Sequence, residues 1–159
     1  MRKILTLAFT LGLGAWVPMA SAQYGMTWSK LSHDSNYSVD HVGCDGCNPY
    51  SGDTDCSTPM PILCVKEDGS QNPGVYADFY NGWIGGHLGL TEAIAGSSIA
   101  DLADADSRCE ARFGPGYHMA EFHHSWGGWS WQAFGNIGVT GGFNPRFWVY
   151  INDQPANCF

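Results

Sequence analysis

The chain of 159 residues carries 7 Lys and Arg against 15 Asp and Glu, a formal net charge of −8. Nucleic acid and anionic lipid are excluded as expected partners, because both are held by basic residues that pair with phosphates. Glycine contributes 21 residues and Phe, Trp and Tyr contribute 8, 7 and 7, a composition that describes a turn-rich chain with an aromatic core and argues against a bundle of long helices.

Residues 1–22 have the form of an export signal. Arg2 and Lys3 make a positive start, Ile4 to Trp16 an apolar run, and Ala20-Ser21-Ala22 a small-residue cleavage site, with Gln23 the expected mature start. The run is too short to span a bilayer with margin, and no later stretch approaches ~20 apolar residues, so no membrane insertion is expected. No cysteine stands directly after the cleavage site, which points to a free secreted product without a lipid anchor, bacterial and either extracellular or periplasmic. Residues 23–159 are then expected to form one domain, with five basic and fifteen acidic side chains.

In chain order, Gln23 to Asp40 has no clear period and reads as an N-terminal strand or arm. Residues 44–64 (CDGCNPYSGDTDC and beyond) are rich in Gly, Pro, Asp, Asn and Ser, a run of turns with too little apolar area to order itself without cross-links. Pro61 to Val65 and Gly86 to Ile94 are extended candidates, the second after a turn at Asn81-Gly82. A helix is predicted over 98–113, with Ser98 and Asp101 as a capping pair, Ile99, Leu102, Cys109 and Phe113 on one face, and Gly114-Pro115 as the stop. Asp104 and Arg108 form a favourable i, i+4 pair on its outer face. Extended segments follow at Tyr117 to Phe122, Trp126 to Gly142 and Phe147 to Ile151. One helix among mainly antiparallel strands makes the fold class α+β.

All six cysteines, Cys44, Cys47, Cys56, Cys64, Cys109 and Cys158, lie after the signal. An even count in a short exported chain implies up to three disulfides. Cys109 paired with Cys158 would close a loop worth roughly 4 kcal/mol by chain entropy. The first four then pair among themselves in one of three ways.

The helix with its cysteine (SIADLADADSRCEARFG), the strand YHMAEF, the aromatic strand FWVYIND and the closing cysteine resemble C-type-lectin-like and endostatin-like domains over residues 86–159. The chain is also similar to small exported bacterial proteins of unknown role. The resemblance implies a lectin-like variant without the calcium-dependent sugar site. Asn152-Asp153 matches one ligand dyad, but the E-P-N or Q-P-D loop is missing.

His118, Glu121, His123 and His124 are the densest set of metal-ligand types. Alternation on a strand would put Glu121 and His123 on one face and His118 and His124 on the other, two ligands where a catalytic zinc needs three. His87 or an aspartate from the cysteine-rich segment would have to complete a site around His118, Glu121 and His123. Asp45, Asp53 and Asp55 lack the spacing of a calcium loop and read as turn caps. Cys44-Asp-Gly-Cys47 has the C-x-x-C redox spacing without the strand and helix alternation of a thioredoxin, and reads as a structural bridge. No G-x-S-x-G elbow is present.

Trp126, Trp129 and Trp131, separated by glycines and a serine, are the best candidates for a recognition surface, with Trp129 and Trp131 sharing one strand face about 7 Å apart. The sequence thus points to a secreted binding or adhesion module that recognises a surface glycan or protein partner through these rings. No cofactor is called for. A structural subunit of an extracellular assembly, with self-association, is the second class, and a metal-dependent or hydrolytic enzyme the third.

Overall fold

The computed structural model describes residues 23–138 and 145–159; the signal read at 1–22 and the glycines at 141–142 lie outside them. The described elements are β1 (Tyr24–Gly25), β2 (Thr27–Asp34), β3 (Val39–Gly43), β4 (Thr54–Asp55), β5 (Pro59–Met60), β6 (Leu63–Glu67), β7 (Asn81–Leu90), β8 (Ile94–Ala95), a 3-10 turn (Gly96–Ser98), α1 (Leu102–Phe113), β9 (His118–Met119), β10 (Ser130–Phe134) and β11 (Arg146–Trp148). Asn81-Gly82, expected as a turn, opens β7: Asn81 stands opposite Ser130 and Gly82 opposite Trp131. A side chain at Gly82 would meet Ser125 Cβ at 2.2 Å, so the glycine serves a close approach.

Seven strands make one sheet in the order β11-β2-β3-β10-β7-β6-β9. Every pair is antiparallel except β10 with β7. The remaining strands pair as β1 with β4 and β5 with β8. This is the small α+β fold that the pattern of one helix among strands predicts.

Alternation along the strands sorts the apolar residues into two cores. Leu63 and Val65, Trp131 and Ala133, and Phe147, Val149 and Ile151 join Trp28 and Val42 in one cluster. Ile62, Cys64 and Trp148 belong to a second cluster that includes Ile99, Ala105 and Cys109 beneath the helix. The sheet also curls until its edges meet. Beyond β11, isolated parallel bridges join Trp148 to Ile62 and Tyr150 to Glu121. Trp148 N donates to Pro61 O and Tyr150 N to Ala120 O, both at 2.9 Å, and Phe122 N donates back to Tyr150 O at 2.9 Å.

The helix begins three residues later than the Ser98 cap predicts. Ile99 stays extended and buried, and Asp101 caps instead, its carboxylate accepting from Asp104 N at 2.8 Å while Asp104 accepts from Ala100 N at 3.1 Å. The two aspartates work reciprocally, as in a capping box. The Asp104–Arg108 pair forms at 3.1 Å. Gly114, with φ +98, ends the helix.

The disulfides are Cys44–Cys47, Cys56–Cys158 and Cys64–Cys109. The expected Cys109–Cys158 pairing is therefore wrong, and only one bridge lies within residues 44–64. Cys64 stands on the helix-facing side of β6, directly opposite Met119 of β9, where Cys109 of α1 reaches it. The closing cysteine reaches Cys56, flanked by Gly25 and Gly96, at either of which a Cβ would crowd its sulfur. Loops of 102 and 45 residues correspond to about 4 to 5 kcal/mol each by chain entropy, against under about 2 kcal/mol for Cys44–Cys47.

Polar contacts do much of what the turn-rich segment was expected to get from cross-links. Asp53 accepts from Thr27 Oγ1 at 2.5 Å, Asn48 N at 2.9 Å and Thr54 Oγ1 at 2.8 Å, and pairs with Arg146 at 3.4 Å. Arg146 also donates to Asp45 O at 2.8 Å and Thr27 O at 2.9 Å. Inside the sheet, Lys30 and Asp40 form a buried pair at 2.9 Å. Asp40 accepts from Ile137 N at 2.6 Å and Lys30 donates to Ile137 O at 2.7 Å, so one ion pair fixes both backbone groups of a residue three positions past the end of β10.

Two outcomes follow for stability. A non-reducing peptide map will link Cys56 with Cys158 and Cys64 with Cys109, and replacing both Cys56 and Cys158 by serine will cost about 2 to 5 kcal/mol in denaturant unfolding. Lys30→Met, which leaves the buried Asp40 carboxylate only its contacts with the His33 ring at 2.8 Å and with Ile137 N, will cost about 1 to 3 kcal/mol by the same measurement.

Candidate functional site

Two loops meet where the parallel strands β7 and β10 begin. In the first, Asn72 Oδ1 accepts from Gly74 N at 2.8 Å and Val75 N at 2.9 Å, and Asp78 Oδ1 accepts from Tyr80 N at 2.8 Å and Asn81 N at 2.9 Å. These side-chain turns leave Tyr76, Phe79 and Tyr80 exposed at the loop tip. The same bonds, led by the one from Tyr80, hold the Asp78 carboxyl below the usual aspartate range. In the second loop, Gly128 N donates to Ser125 O at 2.9 Å, and Gly128 takes φ +78, a conformation that favours glycine. The tight turn puts Trp126 at its apex, 90% exposed. A Cβ at Gly127 would lie 2.2 Å from Phe79 O, so the two loops are in backbone contact.

Between them lies a cleft of about 580 Å³ lined by Asp78, Phe79, Trp83, His124 and Trp126. Trp83 is fixed on its floor: its Nε1 donates to Ser70 O at 2.8 Å and its ring meets Phe134 edge to face at 4.9 Å. The cleft thus combines one free indole, one anchored indole, a phenyl ring, an ionised carboxylate and an imidazole.

The three tryptophans singled out in the sequence do not act together. Trp131 is 0% exposed, its ring 5.8 Å from that of Trp28, and it is removed from the recognition surface. It points inward because β10 lies between β3 and β7 with one face on the core. Trp129 precedes that strand and does not share its face. Its ring packs on Phe122 at 5.3 Å and borders a separate cleft of about 180 Å³ with Tyr50, His123 and Asp153. Only Trp126 reaches the larger cleft, joined by Phe79 and Trp83, which sequence reasoning missed. The cluster of aromatic residues from Tyr76 to Trp83 around the Asp78 turn was the legible signal.

The histidines divide into the two pairs expected, though through the turn at residues 121–124 rather than through alternation on a strand, since β9 is only His118–Met119. Glu121 and His123 pair at 2.9 Å, with Asp153 4.0 Å from the other His123 nitrogen. His118 and His124 lie apart from that pair, ring centroids 5.3 Å from each other. The set His118, Glu121 and His123 is therefore not assembled. Neither His87 nor an aspartate of the cysteine-rich segment completes it: His87 pairs with Asp68 at 3.2 Å, and Asp53 is used in the fold. His118 instead faces Glu67 at 4.0 Å. Among the described residues, the group with three potential ligand atoms in reach of one another is His118 and His124 with Glu67.

Burial, and secondarily the neighbouring His118, pushes His124 down to about 4. A lowered histidine pKa weakens the fold on acidification: below about 6.5 the unfolded chain takes up a proton that the folded ring refuses, until both are charged below about 4. In chelator-treated protein, NMR titration will show the His124 ring neutral down to about pH 4, and His124→Gln will flatten the loss of stability between about pH 6.5 and 4.

No helix among the described residues is long and apolar enough to cross a membrane, and the three disulfides fit an oxidising environment. Compared with family models, curated proteins and solved structures, the chain matches none of them.

Proposed function

We propose that this protein is a secreted binding module whose aromatic cleft takes a glycan of an extracellular surface. The exposed indole of Trp126 beside Phe79 and Trp83 carries this reading, because flat, desolvation-ready rings with a carboxylate at hand suit the apolar face and hydroxyls of a sugar. Asp78 and His124 supply the polar contacts. The net negative charge of the chain favours neutral or amino sugars over acidic ones.

The likeness of residues 86–159 to C-type-lectin-like domains supports the same class of function, recognition without a calcium loop. It is a likeness with a different bridge, since Cys109 bonds to Cys64. The exposed rings Tyr76, Phe79 and Tyr80 next to Trp126 also favour a second reading, a protein contact within an extracellular assembly.

Glycan-array binding will be lost, by at least about tenfold in affinity, in Trp126→Ala and in Phe79→Ala, while Trp129→Ala leaves it unchanged. Sugar binding that survives both cleft substitutions overturns the assignment. Concentration-dependent sedimentation abolished by Trp126→Ala, with no glycan bound, selects the assembly instead.

A further inference from the structure

Glu67 ends β6 and His118 begins β9, and these strands pair with Val65 opposite His118. Val65, Glu67 and His118 therefore lie on one face of the sheet. The turn Glu121–His124 then folds His124 back against His118. One ligand atom from each of Glu67, His118 and His124 lies within 4.8 Å of the others. The ring nitrogen that His118 presents to Glu67 is Nε2, while its Nδ1 is buried without a hydrogen-bond partner among the described residues and stays available as the proton-bearing nitrogen of a ligating imidazole.

We propose that Glu67, His118 and His124 bind a divalent transition-metal cation of the zinc class, with a fourth position left open. Two imidazoles and one carboxylate match the three-ligand set of zinc sites that keep such a position, and nitrogen donors select zinc, copper, nickel or cobalt over calcium and magnesium. Ligands around a tetrahedral ion with bonds of about 2.0 to 2.1 Å stand roughly 3.4 Å apart. The 4.0 Å between His118 Nε2 and Glu67 Oε2, and separations of at most 4.8 Å within the set, need contractions of about 0.6 Å to at most about 1.4 Å, supplied by torsions of the exposed Glu67 side chain and of the two imidazoles. His124 Nδ1 accepts a bond of 3.4 Å from Glu121 N, long enough to be given up at small cost. His118 and His124 also border a cleft of about 210 Å³ with Asp106, Glu121 and Tyr150, where an oxygen donor from solvent or ligand has room; the Glu121 carboxylate is itself engaged by His123 and by Asn152 N. Because His124 also lines the aromatic cleft, the ion would sit beside the proposed recognition site, but its binding does not depend on that reading.

The test is calorimetric titration of chelator-treated, oxidised protein with zinc chloride, and with cobalt chloride followed by visible absorption. One ion per chain, with the strong visible bands of four-coordinate cobalt and zinc-induced shifts of the His118 and His124 imidazole resonances, is the expected result. Glu67→Gln, an exposed change that leaves the fold intact, will weaken binding by about tenfold or more, and His118→Asn will do so further. Glu121→Gln will not. Absence of one-to-one binding in the unmodified protein, unshifted His118 and His124 resonances, or full affinity in Glu67→Gln overturns the site. Loss of binding in Glu121→Gln with full affinity in Glu67→Gln moves the ion to the His123 pair and equally overturns it.

Discussion

The backbone of residues 146–151 is the constraint on which the rest of this structure depends. On one side it pairs with β2, Phe147 standing opposite Trp28. On the other it exchanges hydrogen bonds with Pro61, Ala120 and Phe122. A single extended segment therefore closes a seven-stranded sheet on itself and removes the open edges that would otherwise invite pairing with other chains. Its alternation sends Phe147, Val149 and Ile151 inward and Trp148 toward the helix. Because the same segment reaches Ala120 and Phe122, it also fixes the turn that carries His123 and His124.

The remaining stabilising devices act on this closed sheet. Cys64–Cys109 fastens the helix to the outer side of β6, and Cys56–Cys158 fastens the end of the chain to the turn-rich segment. Lys30 and Asp40 hold Ile137 from within. With the scaffold held at so many points, the loops that lead into β7 and β10 are free to expose rings. That division places aromatic side chains in two roles: Trp28, Trp131 and Phe147 fill the interior, while Trp126, Phe79 and Tyr80 remain in solvent.

Local features of the fold were legible in the sequence, and features set by strand order were not. The helix, its inner face of Leu102, Cys109 and Phe113, and the Asp104–Arg108 pair follow from period and caps that operate within a few residues. The cap moved from Ser98 to Asp101 because burial of Ile99 outweighed the local capping preference. The cysteine pairing went astray because it depends on β6 lying beneath the helix, a neighbour relation that no spacing reveals. Trp131 was misread for a related reason: β10 is inserted between β3 and β7, one of them parallel to it, and only that insertion makes one of its faces interior. The split of the histidines into two pairs agrees with strand alternation in outcome but not in cause, because β9 is only His118–Met119 and the turn at 121–124 makes the grouping. Glu67, more than fifty residues before His124, joined them through the register of β6 against β9, which a single sequence does not carry.

The central claim, that the tryptophans divide into an exposed recognition ring and buried core rings, is tested most directly by fluorine NMR of 5-fluorotryptophan-labelled protein with a soluble paramagnetic agent, the resonances assigned by single Trp→Phe replacements. The account predicts that the Trp126 signal broadens first and strongly while those of Trp28 and Trp131 persist. Broadening of Trp131 to the same degree as Trp126 would contradict the closed sheet and the site built on it.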